Sequence, residues 1–127
     1  MSDSIGKVIF KEWNDALATL DPQKVVACYS DEAILIPTLS NQVRCNKEEI
    51  QDYFTQFLQK RPQGTIELEQ TREISEDVVI NSGIYTFRFD DDAATDTQAR
   101  FTFLYKKEAQ GWKILEHHSS LLPEVVA

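Results

Sequence analysis

The chain has 127 residues, of which 42% are hydrophobic and 27% charged, and its formal net charge is −8 at pH 7. This composition predicts one globular domain over residues 1–127 and argues against wholesale disorder. The negative charge repels phosphate backbones and anionic lipids, so we expect binding to neither nucleic acid nor membranes.

Helical periodicity dominates the start of the chain. Between residues 5 and 20, apolar side chains recur at spacings of three and four, which predicts an amphipathic helix. Asp21 then suits the N-cap of a short second helix, and Pro22 suits its first position, where no backbone N–H is needed.

A short strand and a third helix follow. Residues 33–37 are mostly aliphatic and end at Pro37, which predicts a strand closed by that proline. The third helix is predicted to begin at Asn46, with Glu49 three residues later as the second half of a capping box.

From residue 65 onwards the apolar pattern changes to a period of two. It predicts four strands, at about residues 65–74, 78–89, 97–107 and 112–120. The short connections argue for antiparallel hairpins, and the acidic connection over residues 90–96 lacks the spacing of a calcium loop. Helices followed by a meander of strands indicate an α+β fold.

Alternation along the two middle strands separates an aromatic face from a mixed one. Three helices cannot cover both sides of a long sheet, so we expect the aromatic face to contact a second copy of the chain. The predicted interface comprises Tyr85, Phe87, Phe101, Phe103 and Tyr105. The alternative is that the aromatic side packs on the helices and the mixed side is solvated.

The mixed face carries Arg88 and Arg100. If this face is enclosed, two guanidinium groups project into a cavity, where a small carboxylate would pair with them through two parallel hydrogen bonds. The alternative is structural pairing across strands with Glu67, Glu69 or Glu116.

His117 and His118 are adjacent on the last predicted strand, so their rings point to opposite faces and cannot readily share a metal ion. We therefore expect no metal site. His118 is the candidate for a proton-transfer group in the cavity, and a purely structural histidine is the alternative.

The end of the chain carries the most specific pattern: residues 111–120 read Gly-Trp-Lys-Ile-Leu-Glu-His-His-Ser-Ser, and Pro123 follows. Together with the early helix containing Trp13, the second helix ending near Tyr29, the strand closed by Pro37 and the capped third helix, this resembles the nuclear transport factor 2-like superfamily. Within it, the chain is most similar to the association, or hub, domain of calcium/calmodulin-dependent protein kinase II and its free-standing bacterial relatives.

The resemblance implies a cone-shaped, curved antiparallel sheet wrapped around N-terminal helices, with dimers formed through the sheet and larger rings in hub domains. It also implies a pocket where arginines on the middle strands bind small carboxylates, next to a pocket-facing histidine. The predicted ligand site comprises Arg88, Arg100, His118, Trp13, Tyr29 and Tyr53.

These features leave three hypotheses. The first is a self-associating domain, without catalysis, that binds a small anionic ligand. The second is a cone-type isomerase, dehydratase or cyclase acting on a small hydrophobic substrate, although the Asp/Tyr or Asp/His set of such enzymes is not identifiable here. The third is an assembly module without a ligand.

We expect a cytoplasmic protein without a cofactor. No apolar run approaches the roughly 20 residues that span a bilayer, and residues 1–4 lack the pattern of a secretory signal. Cys28 and Cys45 are too few for a disulfide framework. The chain also lacks the glycine-rich loop of a kinase, so the hub resemblance implies no kinase activity.

Overall fold

The computed structural model describes residues 4–38, 40–90 and 96–124. Its three α-helices are α1 (Ile5–Ala18), α2 (Pro22–Val26) and α3 (Lys47–Phe57), and its five strands are β1 (Tyr29–Ile36), β2 (Pro62–Ser75), β3 (Val78–Phe89), β4 (Asp96–Glu108) and β5 (Gly111–Leu121). The predicted connection over residues 90–96 falls largely outside the described residues. None of the helices described is long and apolar enough to cross a membrane.

The N-cap residues of α2 and α3 are the ones predicted from the sequence. The Asp21 carboxylate accepts a hydrogen bond from the backbone N–H of Gln23 at 3.0 Å. Asn46 Oδ1 accepts one from the N–H of Glu49 at 2.9 Å. The Glu49 carboxylate accepts from the N–H of Cys45 at 2.8 Å, one residue before the N-cap, whereas in the predicted capping box the N–H of Asn46 itself would donate.

The strands form one sheet in the order β1-β5-β4-β3-β2. β1 pairs parallel to β5, and the other three pairs are antiparallel. Bulges interrupt β2 between Ile66 and Leu68 and the β4–β5 pair between Leu104 and Tyr105. Because a bulge bends its strand and increases its twist, these positions help the sheet to curve around the helices.

The aromatic face of the sheet points inward, so the predicted interface is wrong. Its members are at most 6% exposed within the single chain: Tyr85, Phe87, Phe101, Phe103 and Tyr105. Trp13 of α1 packs against Phe103 with ring centroids 5.5 Å apart, and Phe57 of α3 packs against Phe87 at 5.7 Å. The helices cover this face because its rings offer the largest apolar area to remove from water.

The mixed face is consequently the outer one. The side chains of Arg88, Arg100 and His118 are exposed to solvent. The prediction that these three side chains point into an enclosed cavity is therefore also wrong. Alternation divides the side chains into the two predicted sets, but the set with Arg88, Arg100 and His118 faces away from the helices. Any role of these three residues in binding or catalysis would have to take place on the outer face.

Candidate functional site

A recess lies between the helices and the inner face of the sheet. Its walls are mostly apolar and aromatic, with Trp13, Tyr53 and Phe57 from the helices and Phe87 and Phe89 from β3. Its cavity volume is about 30 Å³, enough for about two water molecules and well below the roughly 300–1,000 Å³ of drug-sized ligand sites.

Three of the residues predicted for the ligand site are associated with this recess. Trp13 and Tyr53 line it directly. Tyr29 is fully buried beside it, and its hydroxyl accepts a hydrogen bond from the indole N–H of Trp13 at 3.2 Å. These three residues therefore lie at or beside the recess, and their role in binding a ligand stays a prediction.

A buried chain of hydrogen bonds runs along the recess, centred on His117. The Tyr29 hydroxyl lies 2.9 Å from Nδ1 of His117, and the Tyr85 hydroxyl lies 3.2 Å from Nε2. Tyr85 also donates to Ser119 Oγ at 2.6 Å, and Ser119 is hydrogen-bonded to Thr38. His117, Tyr85, Ser119 and Thr38 all line the recess, so the polar groups converge at one end of it.

The inward-facing histidine is thus His117, and not His118. Burial lowers the pKa of His117 to about 3, with a smaller contribution from His118. Burial also raises the pKa of the Tyr85 and Tyr29 hydroxyl groups. At neutral pH the ring is therefore uncharged and both phenols keep their protons, so the chain acts as a set of neutral donors and acceptors.

Arg44 is a buried cation that the sequence patterns did not single out. Its Nη1 donates to Asp52 at 2.8 Å and to the carbonyl oxygen of Glu49 at 3.0 Å. Its guanidinium carbon lies 5.8 Å from the ring centroid of Tyr53, a residue that lines the recess. The charge of Arg44 is therefore engaged by Asp52, and no charged side chain lines the recess within the described part of the protein.

On the outer face, Arg100 and His118 do come together. They border a shallow depression with Ser82, Thr102 and Ser120. Arg88 does not line it. This depression is open to solvent and has no helix over it, so it differs from the enclosed cavity that the sequence predicted.

The two histidines point to opposite faces, as their adjacency requires. Across residues 4–38, 40–90 and 96–124, no group of three or more His, Cys, Asp or Glu residues is arranged to hold a metal ion. The recess itself contains one imidazole and no carboxylate among its described lining residues, so an acid–base pair of histidine and carboxylate is not assembled there.

Comparison with protein families gives one match, the calcium/calmodulin-dependent protein kinase II association domain, over residues 4–123. A crystal structure from Xanthomonas campestris, assigned to the same association domain, is 41% identical, with a TM-score of 0.92. The match covers 98% of this chain and 91% of that one. No curated protein matches the chain significantly.

More distant structures share the fold. A protein from Streptomyces avermitilis, assigned as a dehydratase of the NTF2-like family, has a TM-score of 0.79 at 11% identity, with 94% of this chain and 95% of that chain covered. A ketosteroid isomerase-like protein from Erwinia carotovora atroseptica has a TM-score of 0.70 at 18% identity, with 93% and 94% covered. At these identities the likeness shows the NTF2-like, cystatin-like fold and carries no function across.

Proposed function

This chain belongs to the calcium/calmodulin-dependent protein kinase II association-domain family, and from that premise we propose that it is a self-associating domain whose copies meet through the outer face of the sheet. The observation that carries the proposal is an apolar group on that face, which no helix covers. Family membership supports self-association, because association domains generally assemble with themselves.

The apolar group consists of two cross-strand pairs on three neighbouring strands, with Ser82 between them on β3. Leu68 of β2 lies beside Ile84 of β3, and Ile80 of β3 lies beside Leu104 of β4. Leu68 is 51% exposed, and the other three side chains are half-buried in the single chain. Removing such a group from water favours association, and a two-fold contact would place the same group of each copy against the other.

Charged residues surround this apolar group. Ile84 pairs with Arg100 in the next strand, and Leu104 pairs with Glu116 of β5. A mixture of both signs allows a cation of one copy to meet a carboxylate of the other, which sets the register of the contact and rejects misaligned pairs. An apolar centre with a polar rim is the usual composition of protein interfaces.

Sedimentation velocity over a range of protein concentrations tests the proposal. We expect the wild type to be a dimer or larger, and Ile84→Lys to shift the distribution towards the monomer, because it buries an unpaired charge beside Arg100. Val8→Lys on α1 is the matched control, since Val8 is an exposed aliphatic residue away from the sheet. A monomeric wild type, or an Ile84→Lys variant that sediments as the wild type does, would contradict the proposal.

As a second function we propose that the recess binds a small molecule. Its aromatic walls can contact an apolar body, and its hydroxyl groups at one end can orient a polar group, which is the usual composition of a ligand site. The predicted carboxylate ligand depended on Arg88 and Arg100, and both lie on the other side of the sheet. The geometry therefore supports a ligand in the recess but does not support a negative charge on that ligand.

Ligand binding can be followed at the two tryptophans. Trp13 lines the recess, whereas Trp112 does not. In a fragment screen by two-dimensional NMR, a ligand of the recess should shift the indole N–H signal of Trp13 and leave that of Trp112 in place. A screen in which no fragment shifts the Trp13 signal saturably would contradict this second function.

A further inference from the structure

The hydrogen bond at the Trp13 end determines which partner donates in each further bond along the recess. The indole N–H of Trp13 can only donate, so the Tyr29 hydroxyl accepts from it. A phenol has one proton to give, and Nδ1 of His117 is the other partner found for the Tyr29 hydroxyl in the described chain. Tyr29 therefore donates to Nδ1, and that nitrogen carries no proton.

The rest of the chain is then determined. A neutral imidazole with a bare Nδ1 carries its proton on Nε2, so His117 donates to the Tyr85 hydroxyl. Tyr85 must use its own proton towards Ser119, which agrees with their 2.6 Å contact. Every donor from Trp13 to Tyr85 is thereby used within the protein.

One proton is left over at the far end. Ser119 and Thr38 bring two hydroxyl protons to this end, and their mutual hydrogen bond uses one of them. No other acceptor for the second proton is found in the described residues, and both hydroxyl groups line the recess. The recess therefore ends in a hydrogen-bond donor.

The absence of charged side chains among the described lining residues favours a neutral ligand group at this donor. A carboxylate moved from water into an apolar recess needs a cation or several donors to offset its lost hydration. The described lining residues supply no cation, and His117 stays neutral because its burial keeps the pKa near 3. A neutral oxygen acceptor avoids this cost and still takes the available proton.

The size of the recess limits what can enter. Its cavity volume of about 30 Å³ accommodates an oxygen-sized group and not a whole ring. The body of a ligand would therefore lie outside this space, and Tyr53 is the one half-buried ring among the described lining residues.

From these observations we infer that the recess selects a neutral ligand with an apolar or aromatic body and a carbonyl-type oxygen, which accepts a hydrogen bond from Ser119 or Thr38, and that it discriminates against carboxylates. The inference rests on the proposed ligand-binding function and names its ligand class. It departs from the carboxylate ligand that the family resemblance implied.

Three probes of similar shape separate the contributions: acetophenone supplies the ring and a neutral acceptor, benzoate replaces the acceptor by a charge, and ethylbenzene supplies the ring alone. We expect acetophenone to shift the Trp13 indole signal saturably. Benzoate and ethylbenzene should each bind at least about tenfold more weakly, the difference a single well-made hydrogen bond can produce.

A double variant tests the donor. Ser119→Ala with Thr38→Val removes both terminal hydroxyl groups and should reduce acetophenone affinity about tenfold while leaving ethylbenzene affinity unchanged. Ser120→Ala with Thr102→Val is the matched control, because these residues border the depression on the outer face. The control should bind all three probes as the wild type does.

The proton positions can be observed directly. Long-range proton–nitrogen correlation spectra of the ligand-free protein should show His117 as the neutral tautomer protonated on Nε2. Protonation on Nδ1 would overturn the directional argument. Benzoate binding as tightly as acetophenone, or a double variant with unchanged acetophenone affinity, would overturn the ligand class and leave the ligand-binding function standing. Failure of all three probes would contradict both, and self-association would be unaffected.

Discussion

The inner and outer faces of the sheet are built by the same strands and differ in what covers them. On β4, Phe101, Phe103 and Tyr105 face the helices and are almost fully buried, whereas Arg100, Thr102 and Leu104 alternate with them on the uncovered side. The inner face thus contributes to the stability of the single chain, and the outer face is available for association. The size of an apolar surface alone does not identify an interface, because the largest one is covered by the protein's own helices.

The largest expected difference between the faces is in packing. Phe103→Ala should lower the free energy of unfolding by about 3–5 kcal/mol, because it leaves a cavity among Trp13 and neighbouring rings. Leu104 follows Phe103 directly and lies on the outer face. At dilutions where copies of the chain are separate, Leu104→Ala should lower the free energy of unfolding by about 1 kcal/mol or less. Urea unfolding of both variants measures the contrast, and equal losses would contradict the assignment of the two faces.

The next effect distinguishes two buried tyrosines on the inner face. Tyr85→Phe leaves the Nε2 proton of His117 without its acceptor and should cost about 1–3 kcal/mol. The Tyr105 hydroxyl is buried with no hydrogen-bond partner in the described structure, so Tyr105→Phe should be neutral or stabilising. Thermal and urea unfolding of both variants would check this order. A Tyr105→Phe variant that loses as much stability as Tyr85→Phe would contradict it.

A pH titration contrasts the two histidines. The pKa of His117 is about 3 in the folded chain and near 6.5 when unfolded, so the unfolded state binds the extra proton between these values. Its contribution to stability is complete above about pH 6.5 and is lost as the pH falls towards 3, by at most about 1.4 kcal/mol per pH unit.

His118→Gln should keep this slope, since His118 is exposed, whereas His117→Gln should reduce it. Unfolding free energies at several pH values between 3 and 7 provide the measurement. An equal slope in both variants would show that groups other than His117 cause the dependence.

The smallest effect concerns the outer cations. Arg88→Gln and Arg100→Gln should each change the free energy of unfolding of the separated chain by no more than about 0.5 kcal/mol, because both side chains are exposed. Urea unfolding at low concentration checks this. A loss of several kcal/mol from either substitution would mean that the outer face supports the fold of the single chain.

The sequence predicted the elements better than it predicted their environment. The limits of β3 and the starts of α2 and α3 agree with the prediction, because period-two alternation and capping residues are local signals. Alternation also separated the side chains correctly into two sets. It could not tell which set faces the helices, because that depends on how far the helices extend over the sheet.

The site required contacts that are distant in sequence. β1 begins at Tyr29 and lies parallel to β5, which brings Leu35 opposite His117, and no local pattern signals that pairing. The polar end of the recess unites Thr38 with Ser119, 81 positions apart. Alternation along β5 places His117 and Ser119 on one face, and this is the signal in the sequence from which the polar end could have been found.

The bulge in β2 has a further consequence for how copies of the chain can join. β2 is an outermost strand, and such an edge offers unpaired backbone groups to which another strand could add. The extra residue at Glu67 and the charges of Arg72 and Glu73 make this edge irregular and highly charged. At the opposite edge, Leu35 of β1 already exchanges backbone hydrogen bonds with Arg44. Both features oppose the addition of a further strand at an edge of the sheet.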